Sequence, residues 1–314
     1  MMRRLFTLSL TLLFVLGIWA DEPIKVAKFW GNREAAISYT FDDGLLEHYT
    51  LVFPRLQKLG LKASFCIIGS KVGKDQKGTP CMTWEQLREM AADGQEITSH
   101  GYRHQSMEKL AGEALRYEVQ HNDTLIYQKV GDFPRTYFFP GNRKTPEGLA
   151  FANRDRVGCR TAQVSLGSKR DSLWLANWVQ RLLKRHEWGV TMTHGITTGY
   201  DCFPNPQVLW QHLEQVASMQ DRIWVATFHD VAAYVAERDT ISFDIRQASK
   251  GIIIVTPKMP LDEQIFCQPL TLVVNGQVSE ARQGRKRLTI TKKDQATLID
   301  FNPHGGEIEL KIDN

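Results

Sequence analysis

Between residues 35 and 237 the chain alternates short apolar runs with stretches whose apolar residues recur at helical spacing. No other feature restricts the fold as much. Residues 35–41 (AAISYTF), 63–68, 96–98, 136–139, 189–193 and 223–228 read as strands. Residues 49–59, 83–92, 113–129, 173–185 and 231–237 read as helices, and Asn205 with Pro206 opens another. In the first helix Leu51, Val52, Leu56 and Leu59 share one face and Gly60 stops it. Thr83 and Gln86 form a capping box for the second. Strands buried on both faces and separated by helices require a parallel sheet, open or closed into a barrel. Near Asp239 the pattern changes. Residues 251–256, 270–275, 287–291, 296–301 and 307–312 are strand-like, with Ile308, Leu310 and Ile312 on one side of the last. The expected class is α/β, with a small β-sandwich-like unit over 241–314.

The first twenty residues read separately. Arg3 and Arg4 precede an apolar run over 5–18, and Asp21 and Glu22 follow. The run is short for a membrane span and suits a signal peptide cleaved near Ala20. The expected location is secreted or periplasmic, without a stable membrane anchor. The formal charge is +4, two of it from Arg3 and Arg4, which gives no electrostatic case for nucleic acid. Cys66, Cys81, Cys159, Cys202 and Cys267 show no C-x-x-C spacing, so neither a redox motif nor a zinc knuckle is indicated. An odd count leaves at least one cysteine unpaired within the chain. Cys66, inside an apolar run, is expected to be a buried small hydrophobe.

Polar residues cluster where the expected strands end. Asp42 and Asp43 follow the first, His100 and His104 the third, and His194 a late one. Active sites of such folds gather beyond the carboxyl ends of the strands. His100-Gly-Tyr-Arg-His104 has i, i+4 spacing, which on a helical turn puts both imidazoles on one face. Two histidines and a carboxylate can hold a divalent metal and leave positions open. The plain alternative for Asp42 and Asp43 is a helix cap or turn.

The segment Thr40-Phe41-Asp42-Asp43-Gly44 resembles the first motif of carbohydrate esterase family four, the NodB-like polysaccharide deacetylases. Residues 84–104 (WEQLREMAADGQEITSHGYRH) resemble the stretch carrying the second. The resemblance covers roughly residues 34–239. It implies a distorted (β/α) barrel as the catalytic domain over 21–240. It also implies that Asp42 is the general base and that Asp43, His100 and His104 bind the metal. Zinc is expected, with cobalt or another divalent ion able to substitute. Tyr137-Phe138-Phe139-Pro140-Gly141 is similar to the third motif, which lines the groove and offers an N–H to the oxyanion. Tyr102, in the stretch resembling the second motif, and Phe139, Pro140 and Gly141, in the third, are the implied substrate contacts. The arginine ahead of the proline in that motif is missing here, and Arg135 and Arg143 are the candidates to replace it. Val190-Thr191-Met192-Thr193-His194 resembles the fifth motif, making His194 the general acid, with His229-Asp230 as its rival and Asp171 as a candidate tether. The implied partner is an acetylated carbohydrate and the implied reaction is removal of N-acetyl groups by water activated at the metal. O-deacetylation of a xylan-type glycan and non-catalytic carbohydrate binding are the alternatives.

Overall fold

The structure is a computed structural model that describes residues 24–75 and 78–312. The expected signal peptide lies outside the described residues. After β1 (Ile24–Val26), nine strands form one sheet: β2 (Ala35–Ser38), β3 (Thr40–Phe41), β4 (Ser64–Ile67), β5 (Glu96–Ser99), β6 (Thr136–Phe138), β7 (Gly158–Arg160), β8 (Val164–Leu166), β9 (Trp188–Thr193) and β10 (Ile223–Val225). Their order is β10-β2-β9-β3-β4-β5-β6-β7, with β8 beside β9, and every pairing is parallel. All residues of β2, β3 and β4 are buried, as a sheet covered on both faces demands.

The helices are α1 (Phe53–Leu59), α2 (Trp84–Ala92), α3 (Gly112–Arg116), α4 (Asn122–Val130), α5 (Pro146–Ala152), α6 (Ser172–Arg185), α7 (Gln207–Ala217) and α8 (Phe228–Thr240). A π-helical turn, Tyr117–His121, joins α3 to α4 where one helix was expected. Thr83 and Gln86 close the capping box of α2. Leu56, Leu87, Leu175, Val179, Leu209 and Leu213 pack from the helices onto Ile37, Phe41 and Phe65 of the sheet. Among the described residues the end strands β7 and β10 do not pair, and α8 packs against both β7 and β2. The barrel is therefore distorted rather than closed.

The rest is antiparallel: β11 (Ser242–Ser249), β12 (Ile252–Lys258), β13 (Leu270–Asn275), β14 (Val278–Gln283), β15 (Lys286–Arg287), β16 (Ile290–Lys293), β17 (Ala296–Phe301) and β18 (Ile308–Ile312). They make two sheets, β1-β13-β17-β16 and β11-β12-β18-β14-β15. Leu272, Val274, Ile299 and Phe301 of the first share one core with Val255, Val278, Ala281, Ile308 and Leu310 of the second. Trp224, Val231 and Tyr234 join that core from the barrel side. The expected boundary at residue 240 needs one correction. β1 pairs with β13, so the described chain begins inside the C-terminal unit and then crosses to the barrel. A three-residue strand carries too little periodicity to announce this. No helix among the described residues is long and apolar enough to cross a membrane.

Candidate active site

The parallel register sets the site. Thr40 and Phe41 of β3 lie beside Ser64 and Phe65 of β4, and Ile67 lies beside Ser99 of β5. One residue beyond the ladder, the Asp42 N–H donates to the Thr193 carbonyl (2.8 Å) and the His100 N–H to that of Ile67 (3.1 Å). Asp42, His100 and His194 thus leave three strands at the same end of the sheet.

The chain reverses at once after each. Asp43 has φ 76° and Gly44 φ 71°, left-handed values that aspartate and glycine tolerate best. The expected helical turn over His100 and His104 is not formed. Gly101 (φ 77°) and His104 (φ 61°) are left-handed, and a loop brings the two rings to 4.9 Å. A side chain at Gly101 would meet Glu118 Oε1 at 2.5 Å. The buried Glu118 carboxylate accepts from the N–H groups of Arg103 (2.9 Å) and Gln105 (3.0 Å), which fixes the loop.

Asp43 Oδ1 lies 3.6 Å from His100 Nε2 and 3.5 Å from His104 Nε2. Asp43 Oδ1 is buried and has no hydrogen-bond partner among the described residues. His100 Nδ1 donates to the Phe138 carbonyl (2.8 Å), so the lone pair sits on Nε2 and faces the carboxylate. Burial lowers the pKa of His100, and burial with the neighbouring His100 charge lowers that of His104 to about 4. Both rings are neutral at pH 7. Acceptor atoms therefore face one another without a proton between them, an arrangement a cation relieves. The donor set and the orphaned oxygen fit a divalent ion. Asp42, Cys66 and His100 form a second such group, but burial raises the Cys66 thiol well above its ordinary value and Asp42 is already engaged.

Its partner is Arg160, a residue the sequence reading missed. Nη1 reaches Asp42 Oδ1 at 2.7 Å and Nη2 reaches Oδ2 at 2.5 Å, a bidentate pair in which each residue is 1% exposed. Burial pushes the Asp42 carboxyl up, but the Arg160 charge and hydrogen bonds, with His100 and His194, hold it well below the usual carboxylate range. Arg160 lies beside Phe138 in the β6–β7 register, and its guanidinium covers that ring at 4.3 Å. Arg135 and Arg143 do not take this part. Arg135 donates to the Asp155 carbonyl (2.9 Å), and Arg143 pairs with Glu108 (3.1 Å). The only sequence signal for Arg160 is an arginine closing the short run Val157-Gly-Cys-Arg160.

His194 is half-buried at the rim. Its carbonyl accepts from His48 Nε2 (2.8 Å), its Nδ1 has no hydrogen-bond partner among the described residues, and its ring meets Tyr200 edge-on at 5.0 Å. Asp171 is not its tether, because that carboxylate caps α6 by accepting from the Trp174 N–H (2.7 Å). The His194 charge helps lower the Asp201 carboxyl, as it does that of Asp42. His229 is remote: its N–H donates to Glu96 (3.0 Å), at the start of β5, whereas His100 follows the end of that strand. The Phe139 ring cannot line a groove. It is 1% exposed and packs with Met107 and Tyr137. Tyr102 is half-buried against Tyr117 and His121, Pro140 is buried, and Gly141 is exposed beyond β6 with φ 62°.

Residues 31–155 match the family model described as Polysaccharide deacetylase. A curated relative from Bacillus subtilis (strain 168), "Putative polysaccharide deacetylase YxkH", is 29% identical over 121 residues, 38% of this chain and 42% of that relative. The match thus spans less than half of the relative's length. A solved structure described as a "putative polysaccharide deacetylase from Mycobacterium smegmatis" is 14% identical with a TM-score of 0.54, over 69% of this chain and 96% of that one. It shares the fold. A family 4 acetyl xylan esterase from Clostridium thermocellum, solved with a cobalt ion, is 19% identical with a TM-score of 0.46, over 62% of this chain and 89% of that one.

Proposed function

This chain belongs to the polysaccharide deacetylase family, and from that premise we propose that it is a metal-dependent hydrolase removing N-acetyl groups from an amino-sugar polymer or oligomer. The observation that carries the reading is the buried Asp43 Oδ1, without a hydrogen-bond partner among the described residues, facing the Nε2 atoms of His100 and His104, with the ionised Asp42 alongside. Asp43, His100 and His104 would hold the ion, and zinc suits two imidazoles and one carboxylate. A bound divalent ion supplies Lewis acidity, polarising an acetyl carbonyl and making water easier to deprotonate.

This chain's own residues do the rest. Asp42 is ionised across the neutral range, so its proton-accepting form is always present. Arg160 holds both its oxygens, which fixes the direction from which a proton can arrive. A carboxylate held so low is a weak base, and its contribution comes from position. His194, open to solvent on one side, is placed to protonate the leaving nitrogen, which departs poorly as an anion. The missing motif arginine favoured a non-catalytic carbohydrate binder. Arg160 supplies that charge, and the binder reading loses its support. The N-terminal segment supports an exported site of action.

Acetate release from N-acetylglucosamine oligomers and from acetylated xylan tests the reading. Each is measured after exhaustive chelation and again after addition of zinc or cobalt. Release from the amide, lost on chelation and restored by metal, is expected. Release from the ester alone would transfer the assignment to O-deacetylation. No release from either by metal-loaded protein would end the hydrolase reading.

A further inference from the structure

The loop between β9 and α7 carries a residue that the proposed reaction leaves unused. Tyr200 is 74% exposed, and its ring stands against His194 at 86°. Single exposed aromatics are ordinary. What separates Tyr200 is the effort spent on holding it still. The Glu47 carboxylate accepts from the N–H groups of Ile196 (2.8 Å), Thr197 (3.0 Å) and Thr198 (3.4 Å), and from the Thr197 hydroxyl. The Gly195 N–H donates to the Tyr200 carbonyl (3.1 Å), and the Phe203 N–H to that of Ile196 (3.1 Å). A Cβ on Gly195 would lie 1.9 Å from the Thr198 carbonyl oxygen, so the reversal has no slack. On the other flank Asp201 accepts from the hydroxyls of Ser165 (2.8 Å) and Ser168 (2.6 Å) and from the Ser168 N–H (3.1 Å). Two carboxylates thus clamp a short loop around one aromatic ring that gains little burial from it.

Resting on the deacetylase reading, we propose that Tyr200 is a stacking platform for the sugar ring lying beside His194, and that it favours pyranoses whose substituents are all equatorial. Such a ring presents a flat face of axial C–H groups, which are weakly positive. The face of a phenol ring is negative, so the two attract once water leaves between them. A fixed platform takes a ring without ordering a loop first, which preserves the attraction as affinity. β-Linked glucosamine and xylose polymers both have this face, so the platform selects ring shape and leaves amide-or-ester choice to the metal side.

The test is calorimetric binding of the N-acetylglucosamine tetramer and of an acetylated xylotetraose to the zinc-loaded full chain, as wild type, Tyr200→Ala and Tyr200→Phe. Tyr200→Ala should weaken binding about five- to tenfold, and Tyr200→Phe, which keeps the face, should stay within about twofold. An isotherm unmoved by Tyr200→Ala, an equal loss in Tyr200→Phe, or no binding of either sugar by wild type would each overturn the proposal. Acetate release by wild type is followed in parallel. A Tyr200-dependent isotherm without release would end the deacetylase reading and keep the platform. Release with a Tyr200-independent isotherm would do the reverse.

Discussion

Arg160→Met is expected to destabilise the protein severely, for a reason confined to one pair of side chains. Asp42 and Arg160 are buried, and each oxygen of the carboxylate takes one guanidinium nitrogen. Removing one member of such a pair leaves a buried charge without compensation, at about 3–5 kcal/mol. For a chain of this size that is a fall in Tm of roughly 5–8 °C at pH 7. Asp42→Asn should cost a comparable amount, because it orphans the guanidinium. Replacing both removes both charges, so the double variant should be more stable than Arg160→Met alone, with a coupling of about 2 kcal/mol or more. The pH dependence carries a sign. In wild type the Asp42 pKa is depressed below its unfolded value, so its stabilisation is present above that value and fades as pH falls through the folded one. In Arg160→Met burial acts on Asp42 without the opposing cation, and the folded pKa moves above the unfolded one. The deficit of the variant is then largest at neutral pH and shrinks toward pH 4, as Asp42 takes up a proton. Thermal melts of the four proteins at pH 4, 5.5 and 7 provide the cycle. An Arg160→Met variant melting within a degree or two of wild type at pH 7, or a double variant no better than the single, would refute the argument.

Glu118→Gln should weaken zinc binding about tenfold, since this carboxylate holds the N–H groups of Arg103 and Gln105 on either side of His104. Competition against a chromophoric chelator measures it, and an unchanged affinity would show that the loop needs no such brace. Glu237 is 0% exposed, and burial pushes its carboxyl from 4.5 to about 7 although the Gln268 N–H (3.1 Å) partly offsets this. Its folded pKa exceeds the unfolded one, so its contribution is full below 4.5 and is lost as pH rises through 7. Glu237→Gln should therefore gain about 3 kcal/mol over wild type at pH 8 and almost nothing at pH 4.5. Urea unfolding at both values checks this, and a gain independent of pH would contradict it.

What could be read from the sequence follows from how each feature is encoded. Strands buried on both faces, such as β2 and β4, announce themselves as apolar runs, and the acids and imidazoles stand out because they follow those runs directly. β7 and β8 have three residues each, and Gly158, Arg160 and Ser165 break any apolar signature. The helical turn expected for His100 and His104 failed on local backbone. A glycine and a histidine at positive φ bring the rings together as effectively as i, i+4 spacing would. Arg160 was hidden for a deeper reason. Its place opposite Asp42 depends on the pairing of β6 with β7, and register between strands is a tertiary property. Phe138 occupies the neighbourhood from which the family's arginine would come, and the next strand supplies the guanidinium stacked on that ring. The chemistry asks only that a bidentate cation stand against the base, and two adjacent parallel strands offer the same point in space from either backbone. Reading a lost motif letter as lost function is therefore unsafe wherever the neighbouring strand can reach the vacated position. The combined variant Phe138→Arg/Arg160→Phe puts this to the test. It should recover the melting temperature lost in Arg160→Met if position in space governs, and should fail to recover it if strand identity does.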